Sequence, residues 1–273
     1  MWLSKIILSL SIMSYICLDS IAVHAQVDAS LWIAVWPSRI ELPIQPSQVF
    51  LFSTSSYDFL KKAMQQLDSD IQVYLWSAHD SVPLRVHDRL SSANGNMRLL
   101  LQPERPLLMD SLYELRASRG EENVFYYFQQ NEPTVPGRRG RTRYRWRVVS
   151  TPDTKAPIWC ATPMVTKKVY EAWGEAPSNY VSFSYPLQDT STCIIKAVVQ
   201  HVRDGCKFTT YLKPWQNQLF LGEFDEDNFR FASGEDYNVT FEAIDAAGNR
   251  ATANGSALPF QAPTKSPTIW GEY

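Results

Sequence analysis

Glycine is scarce in this 273-residue chain, with 11 residues against 17 prolines, and no glycine-rich loop of the kind that cradles phosphate is present. Histidine is scarcer still at 4 residues; His79, His87 and His201 stand apart, without the spacing of a zinc site. The G-x-S-x-G and H-E-x-x-H arrangements are missing, and no two carboxylates are paired for acid–base work. Neither sign of charge dominates, since 26 basic residues face 28 acidic ones, which removes the footprint of a nucleic-acid or membrane-surface binder. No apolar run after the first residues is long enough to span a bilayer, which takes ~20 residues. Together these absences point away from catalysis, and no catalytic residue, metal or cofactor is expected.

What is present begins at the N-terminus. Lys5 precedes the apolar run 6–16, and Val23-His24-Ala25 places small residues at the −3 and −1 positions before Gln26. A charged start, a short apolar core and such an ending predict a secretory signal peptide over 1–25. The mature chain is then an exported one, bound for a periplasm, a cell surface or the medium, with no membrane span.

Beyond it, short β-type runs alternate with turn residues. The first half reads as strands at 31–36, 39–42, 49–53, 71–76, 97–101, 112–118, 124–128 and 142–149, with Asn94-Gly95 as a hairpin turn. Residues 57–67 break the rhythm: Phe59, Leu60, Ala63, Met64 and Leu67 recur at helical spacing, with Ser56 or Asp58 as N-cap, which predicts one short helix lying across a sandwich. The two-proline stretch 150–157 reads as a stiff, exposed connector. Strands resume at 164–170, 180–185, 193–202, 206–213, 218–222, 227–231, 237–245 and 250–258. The expected fold is all-β, two tandem β-sandwiches over 27–150 and 156–261, followed by a flexible tail at 262–273.

Two echoes link the halves. Asp110 and Gly234 each stand three positions before a tyrosine, Tyr113 and Tyr237, that opens an alternating strand. Such a tyrosine suits a corner in which the ring enters the core and the hydroxyl bonds to upstream backbone. The stretch from Phe241 to Arg250, which includes Asp245-Ala246-Ala247-Gly248-Asn249, resembles the last hairpin of bacterial immunoglobulin-like and fibronectin-III-like domains. Gln102-Pro103-Glu104-Arg105-Pro106-Leu107, followed by Leu112-Tyr113-Glu114-Leu115, resembles the matching edge of a bacterial immunoglobulin-like domain. The resemblance implies two sandwiches of that class, with Gly248-Asn249 supplying positive backbone angles in a tight hairpin; it specifies fold and not activity.

Three cysteines follow the signal segment. Arg203-Asp204-Gly205-Cys206 reads as a two-residue hairpin turn, which sets Cys193 about ten residues along the ladder, roughly 30 Å away at ~3.3 Å per residue. A disulfide to Cys206 is then excluded by the ~7 Å Cα limit. A Cys160–Cys193 bond is expected instead, worth ~3 kcal/mol by loop entropy, with Cys206 left over.

Arg141, Arg143, Arg145 and Arg147 alternate with Thr142, Tyr144, Trp146 and Val148. On one strand they form a basic stripe able to grip anionic groups, or else a charged face that deters edge association. Among the tryptophans, Trp173 and Trp215 fall in loops where a ring can stack on a sugar. The acidic run Asp225-Glu226-Asp227-Asn228 lacks the glycine and spacing of a calcium loop and reads as a solvated turn. The functional expectation is a non-catalytic binding or scaffold protein with an envelope or surface protein as partner. The alternative is a glycan-binding module using the tryptophans and the arginine stripe. The oligomeric state stays open.

Overall fold

The computed structural model describes residues 33–38, 43–54, 58–91, 96–124, 130–132, 140–142, 144–149, 151–171, 178–223, 229–253, 255 and 257–265. The expected signal segment, the strand at 39–42, the Asn94-Gly95 turn, most of 124–128, the acidic run, Arg143, Trp173 and the tail from 266 onward lie outside the described residues. The described strands belong to one compact unit, Leu31–Tyr273.

Period-two alternation decides which side chains meet in the first half. Its strands are β1 (Ala34–Trp36), β2 (Pro43–Ile44), β3 (Phe50–Thr54), β4 (Gln72–Trp76), β5 (Ser81–Ser91), β6 (Met97–Pro103), β7 (Leu112–Arg119), β8 (Glu122–Asn123), β9 (Gln130–Glu132), β10 (Gly140–Thr142) and β11 (Arg145–Val148). They hydrogen-bond in the order β1-β3-β6-β5-β4-β7-β11-β2, with β8 on β7 and β9–β10 as a separate pair. β5 serves both sheets, since Ser81–Pro83 pair with β4 and Leu84–Ser91 pair with β6. Sequence reading passes over this strand because Pro83 interrupts it. In the fold, Pro83 lies opposite Tyr74 of β4 and its carbonyl accepts from Glu104 N at 2.9 Å, so the strand runs on through the proline by its acceptor alone. Phe50, Phe52, Leu99 and Leu101 of one sheet close on Val73, Leu75, Tyr113, Leu115, Trp146 and Val148 of the other. Trp146 is fully buried, with Phe50 at 5.1 Å between ring centroids.

The helix α1 (Asp58–Gln65) joins β3 to β4 and buries Leu60, Ala63 and Met64 in the same core. Phe59, from the same predicted set, faces solvent at 49% exposure. Arg89 closes the C-terminal end by donating to the carbonyls of Met64 at 2.7 Å and Leu67 at 3.1 Å, satisfying acceptors that the helix itself leaves open.

The second half contains β12 (Ile158–Trp159), β13 (Val165–Glu171), β14 (Ser178–Ser184), β15 (Leu187–Gln188), β16 (Ile194–His201), β17 (Lys207–Leu212), β18 (Gln218–Glu223), β19 (Asp236–Ile244), β20 (Arg250–Thr252) and β21 (Leu258–Gln261). A β13-β14-β18 sheet faces a β17-β16-β19-β20 sheet that also carries β21 on β19, and β12–β15 form a small ribbon. Val181, Phe183, Leu219 and Leu221 pack on Ile195, Ala197, Val199, Val239 and Phe241. The run 227–231 is not a strand where it is described; Phe231 there plugs the core instead. The stretch read as one strand at 250–258 is two, β20 and β21.

Both tyrosine corners form. The Leu108 amide donates to the Tyr113 hydroxyl at 3.1 Å, and the Ala232 amide donates to that of Tyr237 at 3.0 Å, in each case from five residues upstream. Tyr113 also donates to Asp80 Oδ2 at 2.6 Å, and Arg105 pairs with the same carboxylate. In the β19–β20 connection only Gly248 has positive φ, at 90°. The expected share for Asn249 is not needed, because the loop runs from Ile244 to Arg250 and is closed by Asn249 N donating to Asp245 Oδ1 at 2.8 Å.

A third apolar cluster joins the halves: Val49, Leu51 and Leu100 meet Ile194, Tyr211 and Ile244. Polar contacts ring it. Asp88 Oδ2 accepts from Lys196 Nζ and from the Tyr211 hydroxyl, both at 2.7 Å. Arg98 donates to Thr210 Oγ1 at 2.9 Å and to the Tyr211 carbonyl. The tip of the β19–β20 hairpin is tied down by Val49 N donating to the Ala246 carbonyl at 2.8 Å and by Ser47 Oγ donating to that of Ala247 at 2.9 Å.

The cysteine geometry corrects the sequence reading. β16 and β17 pair with Gln200 opposite Lys207, and His201 N donates to the Cys206 carbonyl at 2.9 Å, so the connection holds four residues and not two. Cys193 still lies at the far end of β16 from Cys206, and those two are not joined. The expected Cys160–Cys193 bond is not formed either; all three thiols are free, Cys160 and Cys206 exposed and Cys193 buried. Burial, reinforced by the Asp189 carboxylate, pushes the Cys193 thiol up to about 12, and the Asp204 carboxylate raises that of Cys206. Since the thiolate is the reactive form, iodoacetamide at pH 8 should label Cys160 and Cys206 in the folded protein and reach Cys193 only after denaturation. Mass mapping of the labelled peptides checks this, and early labelling of Cys193 would refute the packing around it.

Candidate functional site

The outer face of β4, β7 and β11 gathers the most distinctive side chains. Because Val73, Leu75, Tyr113, Leu115, Trp146 and Val148 turn inward, alternation sends Tyr74, Trp76, Glu114, Arg116, Arg145 and Arg147 to the other side. Register aligns them in rows. Trp76 lies opposite Glu114 and Glu114 opposite Arg145; Tyr74 lies opposite Arg116, and Leu112 opposite Arg147.

Glu114 organises the rows. Its side chain is only 8% exposed. Oε2 accepts from Arg145 Nε at 3.1 Å and Nη2 at 2.9 Å, while Oε1 accepts from Arg116 Nε at 3.2 Å. The Arg116 guanidinium lies 3.6 Å from the Trp76 ring centroid, a cation–π contact. Trp76 remains 39% exposed. Arg147 donates to the Asp110 carbonyl at 3.0 Å. Beside the rows, Tyr74, Glu114, Arg116, Ser118, Glu121 and Asn123 line a shallow depression of about 330 Å³.

The four arginines of the expected stripe are thus divided. Arg145 and Arg147 are exposed on β11, with Trp146 and Val148 buried between them. Arg141 belongs to β10, opposite Asn131 of β9, and Arg143 lies outside the described residues, as does Trp173. Trp215 is 51% exposed. It opens a two-residue turn in which Gln216 and Asn217 both hold positive φ and Trp215 and Gln218 exchange backbone bonds at 2.9–3.0 Å. Its ring stands 5.7 Å from that of Phe220. Sequence reasoning missed Trp76, Glu114 and Arg116, although the alternation of 72–76 and 112–118 places them on one outward face once the register is known.

A second group lies at the junction of the halves. Asp153, Asp189 and Asp245 bring carboxylate oxygens within 4.8 Å of one another. Each is held locally: Asp245 by Asn249, Asp189 by Ser191, and Asp153 by Lys155 N and Thr190. Burial raises the Asp245 carboxyl above its usual range, against the pull of the Asn249 bonds. Asn249 Nδ2 also reaches the carbonyls of Asp153 and Lys155, and Asp153 N donates to Gln45, so the group anchors the connector between the sandwiches.

The sequence matches no family model, and no curated protein matches it. Among solved structures, the chain is similar to the tandem Ig repeats of Dlar, at 12% identity over 86% of this chain and 100% of that one, with a TM-score of 0.23. It is similar to a tetra-tandem repeat in the extending region of a large adhesion protein, at 10% identity over 79% of this chain and 45% of that one, with a TM-score of 0.25. A pullulanase type I from Bacillus subtilis str. 168, complexed with maltose, matches at 8% identity and a TM-score of 0.21; the match covers 89% of this chain and only 28% of the pullulanase. Likenesses of this size carry no argument about function. On the strength of its own registers, paired corners and apolar cores, the chain is an all-β protein of two β-sandwiches.

Proposed function

We propose that the chain is an exported, non-catalytic binding or scaffold protein of the cell envelope or the medium, with folded parts at 27–150 and 156–261. Its partner is a protein docking on the outer face of β4–β7–β11. The observation that carries this reading is the exposed Trp76, stacked with Arg116 and joined through Glu114 to Arg145. Rigid aromatic and arginine side chains are the groups that dominate protein–protein contacts. The reading as non-catalytic rests on the sequence, where no nucleophile–base spacing occurs, and on two thiols whose surroundings disfavour the thiolate. A pulldown from envelope fraction and culture medium of the source cells should retain one protein on the wild type and lose it on Trp76→Ala/Arg147→Ala. Equal capture by both would move the site away from this face, and capture of nothing would count against the scaffold reading.

A second reading, a glycan-binding module, is favoured by Trp215, whose exposed ring stands beside Phe220 on a turn closed by backbone bonds. On a glycan array it gives hits that disappear in Trp215→Ala.

A further inference from the structure

We propose that the β4–β7–β11 face recognises an acidic polypeptide segment in which carboxylate side chains are interleaved with apolar ones. The inference rests on the docking reading above and names the chemistry of the partner.

Charge supplies the first argument. Among the described outward side chains of β4, β7 and β11 themselves, the guanidinium groups of Arg116, Arg145 and Arg147 stand against the carboxylate of Glu114, while the exposed carboxylates of Asp110 and Glu121 lie in the turns at either end. The Glu114 carboxylate is buried beneath two of those guanidinium groups at 8% exposure, so it orients the cations and presents almost no negative surface of its own. Outward-facing Gln72, Tyr74, Trp76, Leu112 and Ser118 are neutral. The middle of the face therefore carries an excess of positive charge, bounded by a carboxylate in the turn at each end, on a chain whose net charge is −2.

Geometry supplies the second. Arg145 spends Nε and Nη2 on Glu114, Arg116 spends Nε on it, and Arg147 spends Nη1 on a backbone carbonyl. A guanidinium has five N–H donors in a fixed fork, so each keeps donors for a ligand after its anchoring bond is made. The anchors fix the long side chains beforehand, which removes much of the ordering entropy that binding otherwise has to overcome. A carboxylate, planar and two-oxygened, matches such a fork.

The third argument separates a polypeptide from a polyanionic sugar. The cations share their face with Trp76, 39% exposed, and Leu112, 44% exposed. Leu108 and Met109, 45% and 54% exposed, lie in the turn that leads into β7. A ligand that uses the whole face brings apolar side chains to this edge and acids to the arginines. A sulfated polysaccharide offers acids and a ring face for Trp76, but no apolar side chains for Leu108, Met109 and Leu112.

The test uses the full chain and a fluorescein-labelled glutamate–tyrosine random copolymer, followed by anisotropy, with dextran sulfate as comparator. The variants are Trp76→Ala, Arg147→Ala and Glu114→Gln/Arg145→Gln; the last removes the cation without leaving its buried carboxylate unpaired. Circular dichroism melts confirm that each variant is folded. Each change is expected to weaken copolymer binding about tenfold, equivalent to ~1.4 kcal/mol, and added salt should weaken it in the wild type. Failure of the copolymer to bind, or equal binding by all variants, would overturn the proposal. Tighter binding of dextran sulfate with the same residue dependence would overturn it in favour of an anionic polysaccharide. Repeating the pulldown at ~0.5 M NaCl, where exposed charges are strongly screened, separates the two readings. A partner lost on Trp76→Ala/Arg147→Ala but indifferent to salt keeps the docking surface and discards its acidic ligand.

Discussion

Gly222→Ala should destabilise the protein by roughly 3 kcal/mol or more, the sum of backbone strain and overpacking. Gly222 sits on β18 opposite Tyr180 with φ of 116°, a region that side chains with a Cβ rarely adopt. A Cβ added there would come within 2.8 Å of Phe231 Cε2 and closer still to the Asn179 carbonyl oxygen. The oxygen is backbone within the β14–β18 ladder, so it has little freedom to retreat. Phe231 is held as well, since its carbonyl accepts from Asn179 Nδ2 at 3.0 Å and its ring packs among Tyr237 and Phe260. Gly120→Ala is the matched control: its φ is 54°, yet nothing lies within 4 Å of the added Cβ. Urea denaturation should show a large loss for Gly222→Ala and ~1 kcal/mol for Gly120→Ala. Equal small losses would mean that the close approach of β14 and β18 is wrong.

Asp88→Ala should cost about 2–3 kcal/mol, because it leaves two donors at the seam between the sandwiches without an acceptor. The Tyr211 hydroxyl and Lys196 Nζ both converge on Asp88 Oδ2, and Tyr211 is 1% exposed. Asp88→Leu combined with Lys196→Met and Tyr211→Phe should recover most of the loss, since removing every polar partner leaves nothing unsatisfied. The same site predicts a pH effect. Burial works against the Asp88 carboxylate, but the bonds from Lys196 and Tyr211 outweigh it and hold its pKa below the usual carboxylate range. A carboxyl whose folded pKa lies below its unfolded value, ~3.9, adds stability above that value and loses it as the pH falls through the depressed one. Melting curves from pH 6 down to 2 should fall more steeply for the wild type than for Asp88→Asn. Parallel curves would show that the carboxylate does not act as a negative charge at the seam.

Local pattern carried much of the fold. The alternation at 112–118 and 237–245, the helical spacing at 57–67 and the two corner tyrosines could be read directly, because each is written within ten residues or so of chain. What escaped notice depended on partners far away. β5 was hidden by Pro83, which the strand accommodates because its carbonyl still accepts from the distant Glu104 amide. The hairpin after β16 was misread because Asp204-Gly205 resembles a two-residue turn, while the ladder closes at His201 and Cys206. The outward arginines were visible as a stripe, but Glu114, which locks Arg145, and Trp76, which carries Arg116, come from two other strands. Only register brings those four together, and register is not encoded in any single strand.

The parallel pairing of β2 with β11 has a consequence for the order of events during synthesis. Pro43 and Ile44 find their partners in Arg147 and Val148, so an early-made segment waits about a hundred residues for its neighbour. Val49 waits longer, until Ala246 exists. A chain made N-terminus first holds these short segments unpaired while most of the rest is translated, at ~5–20 residues per second. Long-range closure of this kind makes folding slow and leaves unsatisfied strand edges exposed in the meantime. A chain truncated before residue 147 should therefore aggregate where the full one does not, which light scattering of the two would show.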